Sequence, residues 1–357
     1  MKRKHLIWIG LGIIALLIRW LSTNSFIERW YSRGLFQGIR WIIDYLLASW
    51  IPFSMLYLFI IGLLAWGYWK WKKTAFKNKS WKQLTIAVFA RLLAFLGALL
   101  FFFLFLWGYN YGRVSIEEQL GLDLEPISVE ELREMMVQEA QYLVEWREKI
   151  PEAGDSALTA QYLPNLLEKQ LRGDLEKWLA QHDFPTIGRA RVKRIFPKGI
   201  FMRFSSSGLY FPYTGEGQVD AGLHVLQWPF VMMHEMGHAY GFGDEGTCNF
   251  LAYVGGVDSE DPFIAYAAHL DFYRTLATNY LRYEPEDYQE FRATLPIGIQ
   301  SDLNAINDNL RAYPDIMPRV RYAAYDTYLK AQGIKEGMQN YSRVIMLVKG
   351  WRALQED

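Results

Sequence analysis

The chain has 357 residues, 51% of them hydrophobic and 16% aromatic, yet its mean hydropathy of -0.03 is close to zero, so very apolar stretches must be offset by an ordinary polar remainder. Equal numbers of basic and acidic residues, 38 of each, give a net charge of +0, which excludes the global positive field that a nucleic-acid partner requires. A single cysteine, Cys248, excludes an intramolecular disulfide and any zinc cluster of several thiolates, so a metal site has to be built from His and carboxylates.

The apolar stretches lie in the N-terminal third. Residues 6–21, 50–69 and 84–109 each approach the ~20 residues that a spanning helix needs, with only Arg19 and Arg91 interrupting them near ends from which a long side chain can reach the interface. The second stretch is charge-free and carries Trp50 and Trp69 at its edges, where aromatic side chains favour the headgroup layer. The sequence after the first stretch, LSTNSFIERW, lacks the small-x-small pattern of a cleaved signal, so this stretch reads as an anchor. Basic residues set the expected orientation. Lys2, Arg3 and Lys4 precede the first span, and Lys70, Lys72, Lys73, Lys77, Lys79 and Lys82 separate the second from the third, so both segments are expected in the cytoplasm. Between the first two spans, residues 36–49 read as an amphipathic helix on the outer surface. Three crossings make residues 1–111 a membrane domain in contact with the lipid bilayer, and carry residues 112–357 to the extracytoplasmic side.

The length also exceeds what one core usually organises, and the second half has its own patterns. Residues 129–150 alternate apolar and charged positions at helical spacing, with Ser128 as N-cap and Pro151 beyond the end. A second helix is expected over 163–181. Residues 191–196, 200–204 and 209–213 are short β-branched or aromatic runs broken by Pro and Gly, which predicts three strands. From Pro229 onward the pattern is helical again, punctuated by Pro285, Pro314, Pro318 and Gly333. The expected architecture is therefore membrane-anchored and mainly α (α+β), with three N-terminal transmembrane helices followed by a helical domain that carries a small β-sheet.

The chemistry is concentrated in Pro229 to Val254. His234 and His238 are four apart, so on a helix their imidazoles leave one face one turn apart, a separation that suits two ligands of one Zn²⁺. Glu235 lies beside the first of them, where a carboxylate can take a proton from an attacking water and return it to a leaving amine. Pro229 suits the first turn of this helix and Gly241 its left-handed end. Two imidazoles leave a catalytic zinc one protein ligand short. Glu245 is the preferred third ligand, because Asp244 has a role as N-cap of a second helix that starts there; Asp244 is the alternative and Glu260 a third candidate. Asn249, one turn after Glu245, is a candidate to orient that carboxylate. Cys248, His224 and His269 read as packed, structural side chains. Leu209, Tyr210 and Phe211 are the candidate edge strand along which an extended substrate would lie. Tyr325, Tyr328, Tyr341 and Arg343 are candidate donors to a developing oxyanion.

His234-Glu235-x-x-His238, Gly241, Glu245 and Asn249-Phe250-Leu251-Ala252-Tyr253 resemble an uncharacterised bacterial family of three-span membrane proteins with an HExxH zinc-metallopeptidase domain, zincin-like with gluzincin-type ligands. Leu209 to Glu216 and Tyr325 to Gly333 also fit that family, so the resemblance covers nearly the whole chain. It implies a zincin-like fold for the helical domain, one zinc ion, and an acidic ligand at position 245. Gly246-Thr247-Cys248 departs from the pattern, where another acidic residue and an alanine are expected. The expectation is a membrane-anchored zinc metallopeptidase of the bacterial inner membrane, with Glu235 as general base and acid, acting on protein or peptide substrates at the cell envelope. Two other readings are a non-catalytic envelope signalling or assembly module with a structural metal, and a zinc hydrolase of a non-peptide amide.

Overall fold

The computed structural model describes residues 3–47, 50–73, 81–335 and 342–356. Lys2, Lys77 and Lys79, which carry part of the orientation argument, and Tyr341 lie outside the described residues. The fold is mainly helical with one small three-stranded sheet. It divides into two compact units, Met1–Val114 with Phe211–Glu216, and Ser115–Tyr210 with Gly217–Asp357.

In the first unit, two helices among the described residues are long and apolar enough to cross a membrane, Arg3–Leu21 and Trp81–Leu106. The middle stretch is a shorter apolar helix, Met55–Lys70. It starts at Met55 and not at Trp50, because Pro52 disfavours helical backbone before it and the Ser54 hydroxyl accepts the Leu56 N–H at the helix start. Residues 24–47 are helical throughout, with wide π-type turns at Ile27–Leu35 and Ile42–Leu47. The helix expected over 36–49 is helical to Leu47, with Ala48 and Ser49 outside the described residues, and its polar side chains turn inward while Trp41, Ile42, Leu46 and Leu47 are exposed. Glu28 takes a two-pronged pair from Arg113, Ser32 donates to Asn110, and Arg40 pairs with Asp44 and donates to the Gly215 carbonyl. These groups are buried, and pairing is what makes a buried charge tolerable. Phe59 packs against Phe211 and Tyr213, and the Tyr213 hydroxyl donates to the Leu99 carbonyl.

In the second unit the helix Val129–Glu148 begins with a capping box, in which Ser128 Oγ accepts from Glu131 N–H and the Glu131 carboxylate accepts from Ser128 N–H. It packs on Pro262–Tyr280. The second expected helix starts at Leu167, four residues later than the apolar pattern suggested. The helix Glu245–Val257 is buried along most of its length, between the motif helix Trp228–Ala239, Leu167–Gln181, Pro262–Tyr280 and Val344–Glu356.

The sheet is formed by β1 (Val192–Ile195), β2 (Gly208–Phe211) and β3 (Glu216–Asp220) in the order β1-β3-β2, with β1 and β3 parallel. The run 200–204 is not a strand. Its backbone closes into a tight loop because the buried Asp220 carboxylate collects the N–H groups of Gly199, Phe201 and Met202. The strand that sequence reading missed, β3, has the polar sequence EGQVD and is buried throughout.

Within the first unit, the two long helices meet at glycines. A Cβ on Gly97 would come within 2.5 Å of the Trp8 carbonyl oxygen, and one on Gly12 within 2.8 Å of the Gly97 Cα. Close backbone approach of this kind needs small residues. Gly97→Val is expected to destabilise this unit by about 1–3 kcal/mol, read as an earlier midpoint of unfolding in mixed detergent micelles. Gly62→Val, where a Cβ would meet nothing within 4 Å, serves as the control and is expected to leave the midpoint in place.

Candidate metal centre

The motif helix starts at Trp228 with Pro229 in its first turn, where a missing N–H costs nothing, and ends before Gly241, whose φ of 89° reverses the chain. The return brings Asp244 to the start of the helix Glu245–Val257. Asp244 Oδ1 accepts from both the N–H and the hydroxyl of Thr247, 2.7 Å each, and from Arg343 at 2.8 Å. It is thereby engaged as an N-cap, and Glu245 on the first turn faces the motif helix. The short spacer between His238 and Glu245 works because the two helices cross closely: a Cβ on Gly237 would lie 3.2 Å from Cys248 Sγ.

His234, His238 and Glu245 each offer one ligand atom, all within 4.8 Å of one another, and this group could hold a metal ion. Glu245 Oε2 is 3.1 Å from His234 Nε2 and 3.4 Å from His238 Nε2, and the two Nε2 atoms are 3.1 Å apart. The other ring nitrogens are held by oxygen acceptors. His234 Nδ1 is 2.7 Å from Asn249 Oδ1, and His238 Nδ1 is 2.8 Å from the Phe242 carbonyl. Since an oxygen acceptor needs a donor, Nδ1 carries a proton in both rings, and when the rings are neutral both Nε2 lone pairs face the carboxylate. Three acceptor atoms then converge on one point, which is what a cation requires. Charge preferences agree. Burial alone would raise the Glu245 carboxyl, but the two imidazoles outweigh it and hold it well below the usual carboxylate range; burial would lower His238, yet Cys248 and Glu245 raise it. The pocket favours positive charge between these groups.

Glu235 lies beside this cluster. Burial pushes its carboxyl up to about 7, against the opposing pull of His234 and His238, and its Oε2 has no hydrogen-bond partner among the described residues. The sheet leaves room for it. A Cβ on Gly208 of β2 would fall 2.4 Å from Glu235 Oε1, and one on Gly217 of β3 would fall 2.7 Å from Glu235 Cβ. Sequence reading did not assign these two glycines a role; the signal was a glycine in each of two consecutive short segments, without an obvious turn to explain it.

The remaining candidates separate clearly. Leu209, Tyr210 and Phe211 fall on β2, at the edge of the sheet. Asn249 contacts His234 through its amide oxygen and not the Glu245 carboxylate, for which it was a candidate. The group that reaches Glu245 is the Tyr325 hydroxyl, which donates to Oε1 at 2.9 Å, with Tyr328 stacked on its ring. Glu260 is exposed and outside the three-residue group. Cys248 is buried with Sγ 3.3 Å from His238 Nδ1, and burial pushes its thiol up to about 11, so it stays protonated. His224 caps the turn at Val225–Gln227, and His269 pairs with the buried Glu139, which also accepts from Tyr253 and Arg352. These histidines serve the fold.

A family model described as "Protein of unknown function (DUF3810)" matches residues 31–349, most of the chain, and the chain belongs to that family. No curated protein and no solved structure matches it.

Asn249→Ala removes the acceptor that fixes the His234 tautomer. The loss of such a partner typically weakens metal binding about 10–100-fold, and that is the shift expected in a chelator-competition titration with Zn²⁺. The same titration should show little change for Glu260→Ala.

Proposed function

We propose that this member of the DUF3810 family is a membrane-anchored zinc-dependent peptidase. The observation that carries the reading is the convergence of two oriented Nε2 lone pairs and one carboxylate next to a buried, unpartnered acid. A site of two imidazoles and one carboxylate fits zinc, and the three-ligand count leaves a position for water or substrate. When bound, zinc would supply the Lewis acidity that makes a water nucleophilic near neutral pH and polarises a carbonyl.

The chain's own residues supply the rest. Glu235, with a carboxyl near neutrality and a free oxygen, accepts a proton from the attacking water and delivers it to the leaving nitrogen. Gly208 and Gly217 give that carboxylate its space, and β2, an edge strand of the sheet, would offer backbone groups to an extended peptide. Tyr325 and Asn249 hold Glu245 and His234 in place. The HExxH pattern, these ligands and the adjoining sheet support a zincin-like assignment for the helical domain. The three apolar helices and the basic segments around them support three crossings, a cytoplasmic N-terminus and an extracytoplasmic peptidase domain, with substrates among proteins or peptides of the cell envelope.

The test is made on the full chain in detergent. Elemental analysis is expected to give about one zinc per chain, lost in His234→Ala. A peptide library is expected to be turned over by the wild type and about 10²–10⁴-fold more slowly by Glu235→Gln, which keeps its zinc. Zinc without turnover would assign the site to a structural module; absence of zinc would sink both readings.

A further inference from the structure

The surface around the loop that follows β1 has no part in the proposed chemistry. From Phe184 to Gly215 the sequence contains six basic residues and no acidic one, in a chain whose overall charge is +0. Within this stretch the loop 196–204 is ordered by Asp220, which binds three of its backbone N–H groups from the inside. With its polar backbone satisfied inward, the loop presents apolar side chains outward: Phe196 is 53% exposed, Ile200 38% and Phe204 46%. The Arg203 carbonyl accepts from Ile316 N–H at 2.7 Å, which adds Ile316 and Met317, 42% and 63% exposed, to the same surface. Lys198 and Arg203 are exposed among them and have no carboxylate partner among the described residues. Asp315, engaged by the Ser205 hydroxyl, is the acid next to the loop.

We propose that this face of the second unit docks on the surface of an anionic lipid bilayer. Exposed aromatic and aliphatic side chains interleaved with Lys and Arg match a headgroup layer, since the apolar tips enter the acyl boundary while the cations meet the phosphates. A protein partner would have to be both acidic and apolar at the same spacing, whereas an anionic bilayer has that composition everywhere. A weak contact suffices, because a chain held by its own membrane helices sees the surface at high effective concentration. The inference rests on the membrane anchoring proposed above and is independent of the peptidase chemistry.

The experiment uses the full chain in nanodiscs made with and without phosphatidylglycerol. Phe204→Cys and Phe196→Cys are labelled with a fluorophore, with exposed Tyr283→Cys as the reference site and unlabelled, buried Cys248 left in place. Nitroxide-bearing lipids are expected to quench the label at 196 and 204 at least about twofold more than at 283. The difference should shrink without phosphatidylglycerol, in high salt, and in Lys198→Glu/Arg203→Glu. Quenching at 196 and 204 no greater than at 283 overturns the proposal, as does protection of these labels that depends on protein concentration in lipid-free detergent, which would assign the face to a second copy. Loss of the chain from the nanodiscs altogether would instead contradict the anchoring.

Discussion

Two imidazole nitrogens and a carboxylate oxygen lie within 4.8 Å of one another, and with neutral rings all three are acceptors that repel unless a positive charge, a proton or a metal ion, lies among them. The surrounding structure maintains this arrangement when it could easily relieve it. Moving the one proton of a neutral ring from Nδ1 to Nε2 would leave Asn249 Oδ1 or the Phe242 carbonyl without its donor, and an unsatisfied buried acceptor costs about 1–3 kcal/mol, so relief comes from an added positive charge, in line with the raised His238. The helix Glu245–Val257 cannot retreat either, being packed on four helices and anchored at its start by Asp244, Thr247 and Arg343. The preference for positive charge is therefore a property of the packed fold, set in part by groups outside the three-residue cluster.

Much of this arrangement was legible in the sequence, and the limits of that legibility have physical causes. The His-x-x-x-His spacing is a statement about helical pitch, and Asp244 before Glu245 is a statement about capping; both are local, so they can be read without tertiary information. The spacer of six residues between His238 and Glu245 is legible only with Gly237, whose missing side chain lets Cys248 approach. What escaped reading depends on distant partners. β3 has a polar sequence and becomes a central strand because Asp220 caps a loop and Glu216 accepts from Met55 N–H, neither of which leaves a mark on local pattern. Tyr325 could be named as one of several possible donors, but only the fold selects it, through a contact 80 residues away.

The first unit shows the same limit from the other side. Hydropathy finds its long helices at once, since composition alone carries that signal. It does not say what meets the polar face of the helix expected over 36–49, nor that of the helical turns before it. Their polar side chains find partners inside the unit: Glu28 with Arg113, Ser32 with Asn110, Arg40 with Asp44. An amphipathic pattern reports that one face is polar and does not report whether water or protein satisfies it.

Within the proposed function, Glu235 bears on the choice between a structural metal and a reactive one. A carboxyl that is buried, raised to about 7 and left with an unpartnered oxygen carries a desolvation cost that the fold could avoid with a glutamine or an apolar side chain. The structure instead gives up side chains at Gly208 and Gly217 to admit it, although glycine weakens a strand interior. Holding His234, His238 and Glu245 in place makes no use of this carboxylate. On the proposed peptidase reading, a proton acceptor whose affinity lies near neutrality, beside a site that gathers positive charge, serves to move protons, and the two glycines are then the structural cost of that use.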